Sequence, residues 1–352
     1  MVTRDENRPG ASEGTGKRAP AAPERVVAEP VRLYEPLVRH IFTADPSAHV
    51  FEGQIYIYPS HDIETGAPVT DQGDHFDMMD YHVLSFRDFD SPVIDHGVAL
   101  HVRDVPWARK QMWAPDAAYK DGTYYLFFPA KDPQGVFRIG VATSARPEGP
   151  FKARPEPIAG SFSIDPCAFI DTDGQAYLYF GGIWGGQLQR WQSGHYDPKG
   201  EHPAGDAPAI RPRVARLNAD FSGFVGGAEE LVIVDENGEL LKARDTERRF
   251  FEASWMHERE GTYYFSYSTG DTHFLVYATS KSPLGPFVYG GRILNPVLGW
   301  TTHHSIVQFQ GEWYLFYHDS ALSGGVTHQR CVKVRKLKHE SDGSIRTIDP
   351  YA

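Results

Sequence analysis

The sequence predicts an all-β chain folded as a single five-bladed β-propeller, and three observations carry that expectation. Composition is the first: 18 Tyr, 21 Phe, 34 Gly and 26 Pro supply strand and turn formers, while long Ala/Leu/Glu/Lys helical tracts are missing. A repeat is the second. Five segments (44–60, 114–130, 164–182, 251–270 and 303–320) share one plan: an acidic or His position, a short apolar stretch, a Gly-containing turn, then an aromatic strand. Spacing is the third. The anchor positions Asp45, Asp116, Asp165, Glu252 and His303 fall 71, 49, 87 and 51 residues apart, which suits blades of about four short strands each.

Taken in order, residues 1–30 are rich in Pro, Ala, Gly, Arg and Glu and hold no aromatic residue. Such a segment buries too little surface to order itself, so it is expected to be a flexible leader, with 31–352 as one propeller domain. It has no apolar core of a secretory signal, so a cytoplasmic protein is expected, or a secreted or periplasmic one if the leader is incomplete. Gly10-Ala11-Ser12-Glu13-Gly14 matches the nucleophile-elbow pattern, but that motif needs a strand before it and a helix after it. From residue 38 the repeat takes over. Its turns, Glu52-Gly53, Asp121-Gly122, Asp173-Gly174, Glu260-Gly261 and Gln310-Gly311, sit between apolar or aromatic runs and read as hairpins. A second repeat, a strand followed by a Pro-Gly turn, occurs at 139–151 and 275–287, with a degenerate copy at 83–97. The Gly/Pro/His-rich insertion at 187–206 reads as a loop over one face.

Several classes are excluded early. The formal charge is −11 and no Lys/Arg cluster occurs, which argues against nucleic acid or an anionic membrane as partner. No stretch approaches the roughly 18 apolar residues of a spanning helix. Cys167 and Cys331 stand in no CxxC context, so neither a disulfide framework nor a metal knuckle is expected. No HExxH, P-loop or dinucleotide fingerprint occurs, and no organic cofactor is expected.

In a propeller, the innermost strand of each blade lines a central channel, so equivalent positions point to one place. Here four of the five anchors are acidic. Unpaired buried carboxylates are costly, and converging ones raise one another's pKa, the arrangement that acid/base chemistry needs. Glycoside hydrolysis uses such a set: one carboxylic acid protonates the leaving oxygen and one carboxylate activates water. The alternative is that Asp45, Asp116 and Asp165, each beside a Pro, cap strand starts. That alternative is the reading adopted for Asp116.

The motifs Ala44-Asp45-Pro46-Ser47, Trp113-Ala114-Pro115-Asp116, Ser163-Ile164-Asp165-Pro166, Glu252-Ala253-Ser254 and His303-His304-Ser305 together resemble glycoside hydrolase family 43 over about residues 38–338. The resemblance implies a five-bladed propeller that hydrolyses arabinose- or xylose-containing glycans with inversion. It implies Asp45 as general base, Glu252 as general acid, and Asp165 as the residue that orients the acid and tunes its pKa. Inversion implies that Asp45 and Glu252 stand roughly 6.5–9.5 Å apart. Many family members have Gly after the acid, where this chain has Ala253. Glu258 and Glu260 compete for the acid role, but they flank a turn where a solvated hairpin tip explains them.

The resemblance also implies that His303 approaches a channel ion, often Ca2+, or its water shell, with His304 turned away. Arg330 resembles the late Arg that binds a sugar hydroxyl, or is a surface strand residue. Trp113 either stacks on a sugar or packs between blades. His61, with Asp62, Asp77, Asp80 and His82, forms a polar cluster assigned to the substrate at the pocket mouth, with a solvated edge as the alternative. Asp171-Thr172-Asp173-Gly174 looks like a calcium loop but lacks its remaining ligands. The expected substrate is a terminal β-D-xylose or α-L-arabinofuranose on an oligo- or polysaccharide. The rivals are a non-catalytic carbohydrate-binding propeller and a related propeller glycosidase acting on another sugar.

Overall fold

A computed structural model of the chain describes residues 25–300 and 303–352. The Gly10–Gly14 pattern and the leader up to residue 24 lie outside the described residues. Five sheets, antiparallel but for one parallel edge pair, surround a central channel, and each has its innermost strand at one edge. These inner strands are Phe42–Phe51, Asp116–Lys120, Cys167–Ile170, Glu252–Arg259 and His304–Phe309, in blades I to V respectively. Each hairpin turn falls where the repeat puts it. At four of them both central residues take positive φ, as at Glu52 (52°) and Gly53 (76°), which matches the right-handed twist of the paired strands.

The sheets differ at their edges. Blade I gains a fifth strand, Val26–Pro30, which pairs with Pro92–His101 so that Val26 lies opposite Asp95 and Val27 opposite Ile94. This corrects the expected leader boundary at residue 30. An edge strand needs only backbone pairing and covers an otherwise open edge, so the lack of aromatic residues does not prevent it. Blade V has three strands of its own. The chain's early segment fills its fourth place: the N–H groups of Tyr34, Leu37 and Thr43 donate to the carbonyls of Val334, Val332 and Arg330 at 3.1, 2.9 and 2.9 Å. The first and last parts of the chain thereby close the ring.

The core lies between neighbouring blades. Ile55, Ile57 and Leu84 of blade I pack with Phe316, Val332 and Val334 of blade V. Tyr58, Tyr81 and Val83, from the opposite face of the same strands, pack with Leu126 and Phe128 of blade II. The period-2 alternation of each strand thus feeds two inter-blade layers at once. Each fully buried Phe or Leu contributes about 1.5–3 kcal/mol. Cys167 and Cys331 are both buried and unbridged.

Candidate active site

At one end of the channel the blades converge on a cavity of about 350 Å3 whose wall includes Asp45, Trp113, Asp165, Glu252, His303 and Arg330. Local backbone geometry aims the carboxylates. The pairing of Phe42–Phe51 slips between Ala44 and Ser47, and that of Glu252–Arg259 slips between Glu252 and Trp255. Such bulges leave a residue out of the ladder and re-aim its side chain. Asp45 (φ 49°), Asp165 (φ 55°) and Ala253 (φ 67°) all occupy the left-handed region. Asp tolerates that region through local hydrogen bonding; Ala does so at a cost of about 1–2 kcal/mol. A glycine at Ala253 would adopt this positive φ without that cost.

Asp45 is buried and held by two residues, Arg330 and His318. Arg330 Nη1 donates to its Oδ1 at 3.0 Å, and its own backbone N–H donates to His318 Nδ1 at 2.9 Å. His318 Nδ1 also stands 3.4 Å from Asp45 Oδ1. Arg330 is itself fixed by Asp62, which accepts from Nε and Nη2 at 2.8 Å each and from the Arg330 N–H at 2.9 Å. The guanidinium lies 4.9 Å from the Phe76 ring centroid. A planar fork gripped by one carboxylate in this way has little freedom, so it presents Asp45 in one orientation.

Glu252 and Asp165 form the second half. Burial, and then the charge of Asp45, push the Glu252 carboxyl up to about 8, with Arg330 opposing. Burial raises Asp165 well above the usual carboxylate range, and the charges of Glu252 and Asp45 add to it. Burial therefore leads on both, ahead of the like-charge effect expected from sequence. Coulombic coupling between two carboxyls is mutual, so the two lose their protons one after the other and not together. Asp165 Oδ2 accepts the Ala253 N–H at 2.7 Å, which ties the strained turn after Glu252 to the neighbouring blade.

His303 is buried in the cavity wall. Its Nδ1 accepts the His304 N–H at 2.9 Å, and burial lowers the ring to about 4, so the ring is neutral at pH 7 with its proton on Nε2. That Nε2 has no partner among the described residues and lies 4.0 Å from Asp165 Oδ2. An N–H donor does not bond a cation directly. It fits a water in an ion's shell, with Asp165 as the nearby oxygen donor, so the residues fit a hydrated channel ion and not a directly ligated one. His304 turns away, and its Nε2 lies 2.6 Å from Ser266 Oγ.

The other sequence candidates separate cleanly. Trp113 both lines the cavity and packs: its Nε1 donates to the Phe76 carbonyl at 2.7 Å, and its ring lies 4.7 Å from that of Phe137. Asp116 is outside this cavity wall. It accepts from Ser47 Oγ, sits 2.7 Å from His49 Nε2, and accepts the Ala168 N–H at 2.6 Å, which bears out its reading as a structural cap. His61, expected on the substrate, is outside the cavity wall, with its Nδ1 2.7 Å from Asp80 Oδ1. It is the penultimate residue of the strand Gln54–Asp62, whose last residue, Asp62, takes the place by Arg330 instead. Glu258 and Glu260 occupy the hairpin tip, against the Gly261 N–H and Arg259 respectively. Asp171 and Gly174 close a hairpin turn. The 187–206 loop contributes less to the wall than Ile183–Gly186 just before it.

Sequence reasoning missed Asp62 as the arginine clamp, His318, and the rim pair Trp184 and Trp300, whose rings stack at 5.8 Å. His318 lies in the last aromatic strand, Glu312–Asp319, and Asp62 was in the noted polar cluster. The tryptophans sit in irregular segments with no repeat phase.

The family model described as glycosyl hydrolases family 43 matches residues 35–345. A xylosidase/arabinosidase 43A from Humicola insolens is 60% identical over 90% of this chain and 99% of that protein. A xylosidase/arabinosidase from Bacteroides ovatus is 54% identical over 89% of this chain and 97% of its own. Among solved structures, a GH43 β-xylosidase/α-arabinofuranosidase from a compost microbial metagenome, in complex with xylotriose and described as calcium-free, superposes with TM-score 0.88. It is 60% identical, covering 93% of this chain and 100% of that one.

Proposed function

The chain belongs to glycosyl hydrolases family 43 and is a glycoside hydrolase, and on that premise we propose that it releases terminal β-D-xylose and α-L-arabinofuranose from xylan-type oligosaccharides with inversion. The observation that carries the reading is the division of labour inside one cavity. Glu252 keeps its proton up to about 8, while Asp45 stands against the Arg330 guanidinium. The names of the relatives support the choice of sugars. The small cavity, at the lower end of the range for small-ligand sites, suits the end of a glycan and hence exo action.

In this mechanism Glu252 gives its proton to the glycosidic oxygen as the C1–O bond breaks. Asp45 takes a proton from a water on the opposite face of the ring, and that water's oxygen forms the new bond to C1. Arg330, clamped by Asp62, fixes the angle at which Asp45 meets the water. Asp165 holds the turn after Glu252 through the Ala253 N–H, and its like-charge coupling with Glu252 lets the two carboxyls ionise only one after the other, which tunes the acid. A hydrated Ca2+ in the channel would be held by Asp165 and, through water, by His303, and would supply positive charge near the carboxyl pair. Trp113 offers an apolar face to the sugar.

The test is the anomer first formed from β-1,4-xylobiose, followed by proton NMR before mutarotation. Inversion gives α-xylose first; β-xylose first would require a covalent intermediate and would overturn these roles.

A further inference from the structure

Apart from the catalytic cavity, blade I carries a second cluster of chemistry-bearing side chains that the hydrolytic mechanism does not use. Ser60 pairs with Tyr81, so the next residue, His61, lies directly across the strands from Asp80. His82, two residues on, projects from the same face as Asp80. Its strand neighbour on that face, Leu84, packs in the layer shared with blade V, so the cluster sits at the blade I–blade V seam. Ligand atoms, one from each of His61, Asp80 and His82, lie within 4.8 Å of one another. The side chains are 16%, 16% and 12% exposed, which leaves room for a small ion but not for bulk water around it.

The surroundings orient the rings. His82 Nδ1 lies 2.9 Å from Asp95 Oδ1. Asp95 is gripped in turn by the Gly97 N–H at 2.8 Å and by His40 Nε2 at 2.8 Å. With both of its oxygens fixed by these bonds, Asp95 is placed to accept from His82 Nδ1. The lone pair of His82 then sits on Nε2. An imidazole whose other nitrogen donates to a fixed carboxylate is the arrangement found around protein-bound transition metals. The His61 and His82 rings are 4.6 Å apart at their centroids.

We propose that His61, His82 and Asp80 bind one divalent transition ion of the Zn2+ class at this seam, with Asp95 orienting His82. Two imidazoles and one carboxylate match the borderline ions Zn2+, Co2+ and Ni2+, with water in the fourth position. Hard Ca2+ demands six to eight oxygens and is not served. Bonds of about 2.0–2.2 Å bring tetrahedral ligand atoms to roughly 3.3 Å apart, so small side-chain rotations draw the three groups together on loading.

Calorimetric titration of the full, tag-free chain with Zn2+ tests this. One ion per chain is expected. Binding weakens at least tenfold in His61→Ala and in His82→Ala, weakens roughly 10–100-fold in Asp95→Asn, and is unchanged in His303→Ala. Unchanged binding in both histidine variants, or binding lost only in His303→Ala, overturns the proposal, as does no stoichiometric binding to wild type. Circular dichroism establishes that each variant is folded. Should an alanine variant not fold, the Co2+-loaded wild type decides: visible d–d absorption of a low-coordinate, nitrogen-ligated ion is required, and its absence overturns the site. None of these outcomes bears on the hydrolytic reading, because none uses turnover.

Discussion

Asp116 opens the inner strand of its blade and Asp165 lies two residues before that of the next, each beside a Pro, yet they do opposite work. Asp116 stays within a regular ladder, pairing with Phe127, and its carboxylate is met by Ser47, His49 and the Ala168 N–H. Asp165 sits in the left-handed region just before its strand, accepts one N–H among the described residues, and faces the cavity beside Glu252. A fully satisfied carboxylate is mortar between blades. One left short of donors and crowded by like charge is poised to hold a proton. Burial alone does not separate the two, since Asp116 is 1% and Asp165 4% exposed. Hydrogen-bond supply does.

That contrast can be broken by mutation, starting where the effect is largest. Glu252→Gln should lower kcat on xylobiose by roughly 10²–10⁴-fold, as loss of a general acid does, and recover partly on 4-nitrophenyl xyloside, whose leaving group needs no proton. Asp45→Asn should lose activity on both substrates. Equal rescue of the two variants would show that the acid and base roles are wrongly divided.

The same glutamate should govern alkaline stability. Its folded value of about 8 lies above its ordinary 4.5, so across that window the folded state binds more protons than the unfolded state, and stability falls as pH rises. The contribution is fully present below 4.5 and gone above 8. Glu252→Gln removes this loss. Denaturant unfolding should therefore find the variant more stable than wild type by a few kcal/mol at pH 8.5, with no gain at pH 4.5. A constant difference at both pH values would contradict the assigned cause.

Asp116→Asn should behave in the reverse manner. It costs about 1–3 kcal/mol of stability, since one of its donors is left facing an N–H2 group, and leaves the pH–rate profile in place. Asp165→Asn should move the basic limb of kcat/KM to lower pH by on the order of 1 unit, because Glu252 then no longer shares its titration with a like-charged partner. If Asp116→Asn moves that limb and Asp165→Asn does not, the comparison is inverted.

Much of this was legible in the chain, because a propeller writes its blades in series. All five hairpin turns fall where the repeat puts them, and four of the five anchors, Asp45, Asp165, Glu252 and His303, meet in one cavity wall, with Asp116 turned to Ser47 and His49 instead. What escaped lies where the repeat is silent. Asp62 gained its role from a partner 268 residues away, a pairing that no local period encodes. His61, one residue earlier on an alternating strand, points to the opposite face and so met Asp80 instead of the sugar site. Val26–Pro30 orders by lending a backbone edge, for which composition carries no signal.

The ring closure has a consequence for how this protein is made. Asp45 and Arg330 are 285 residues apart in the chain. At about 5–20 residues per second, the ribosome adds the arginine roughly 15–60 s after the aspartate. Through that interval the first blade waits with its neighbour missing and half of its inter-blade surface uncovered. The base therefore lacks its arginine until blade V is made, and the flank of blade I that blade V covers is the inter-blade surface left waiting longest.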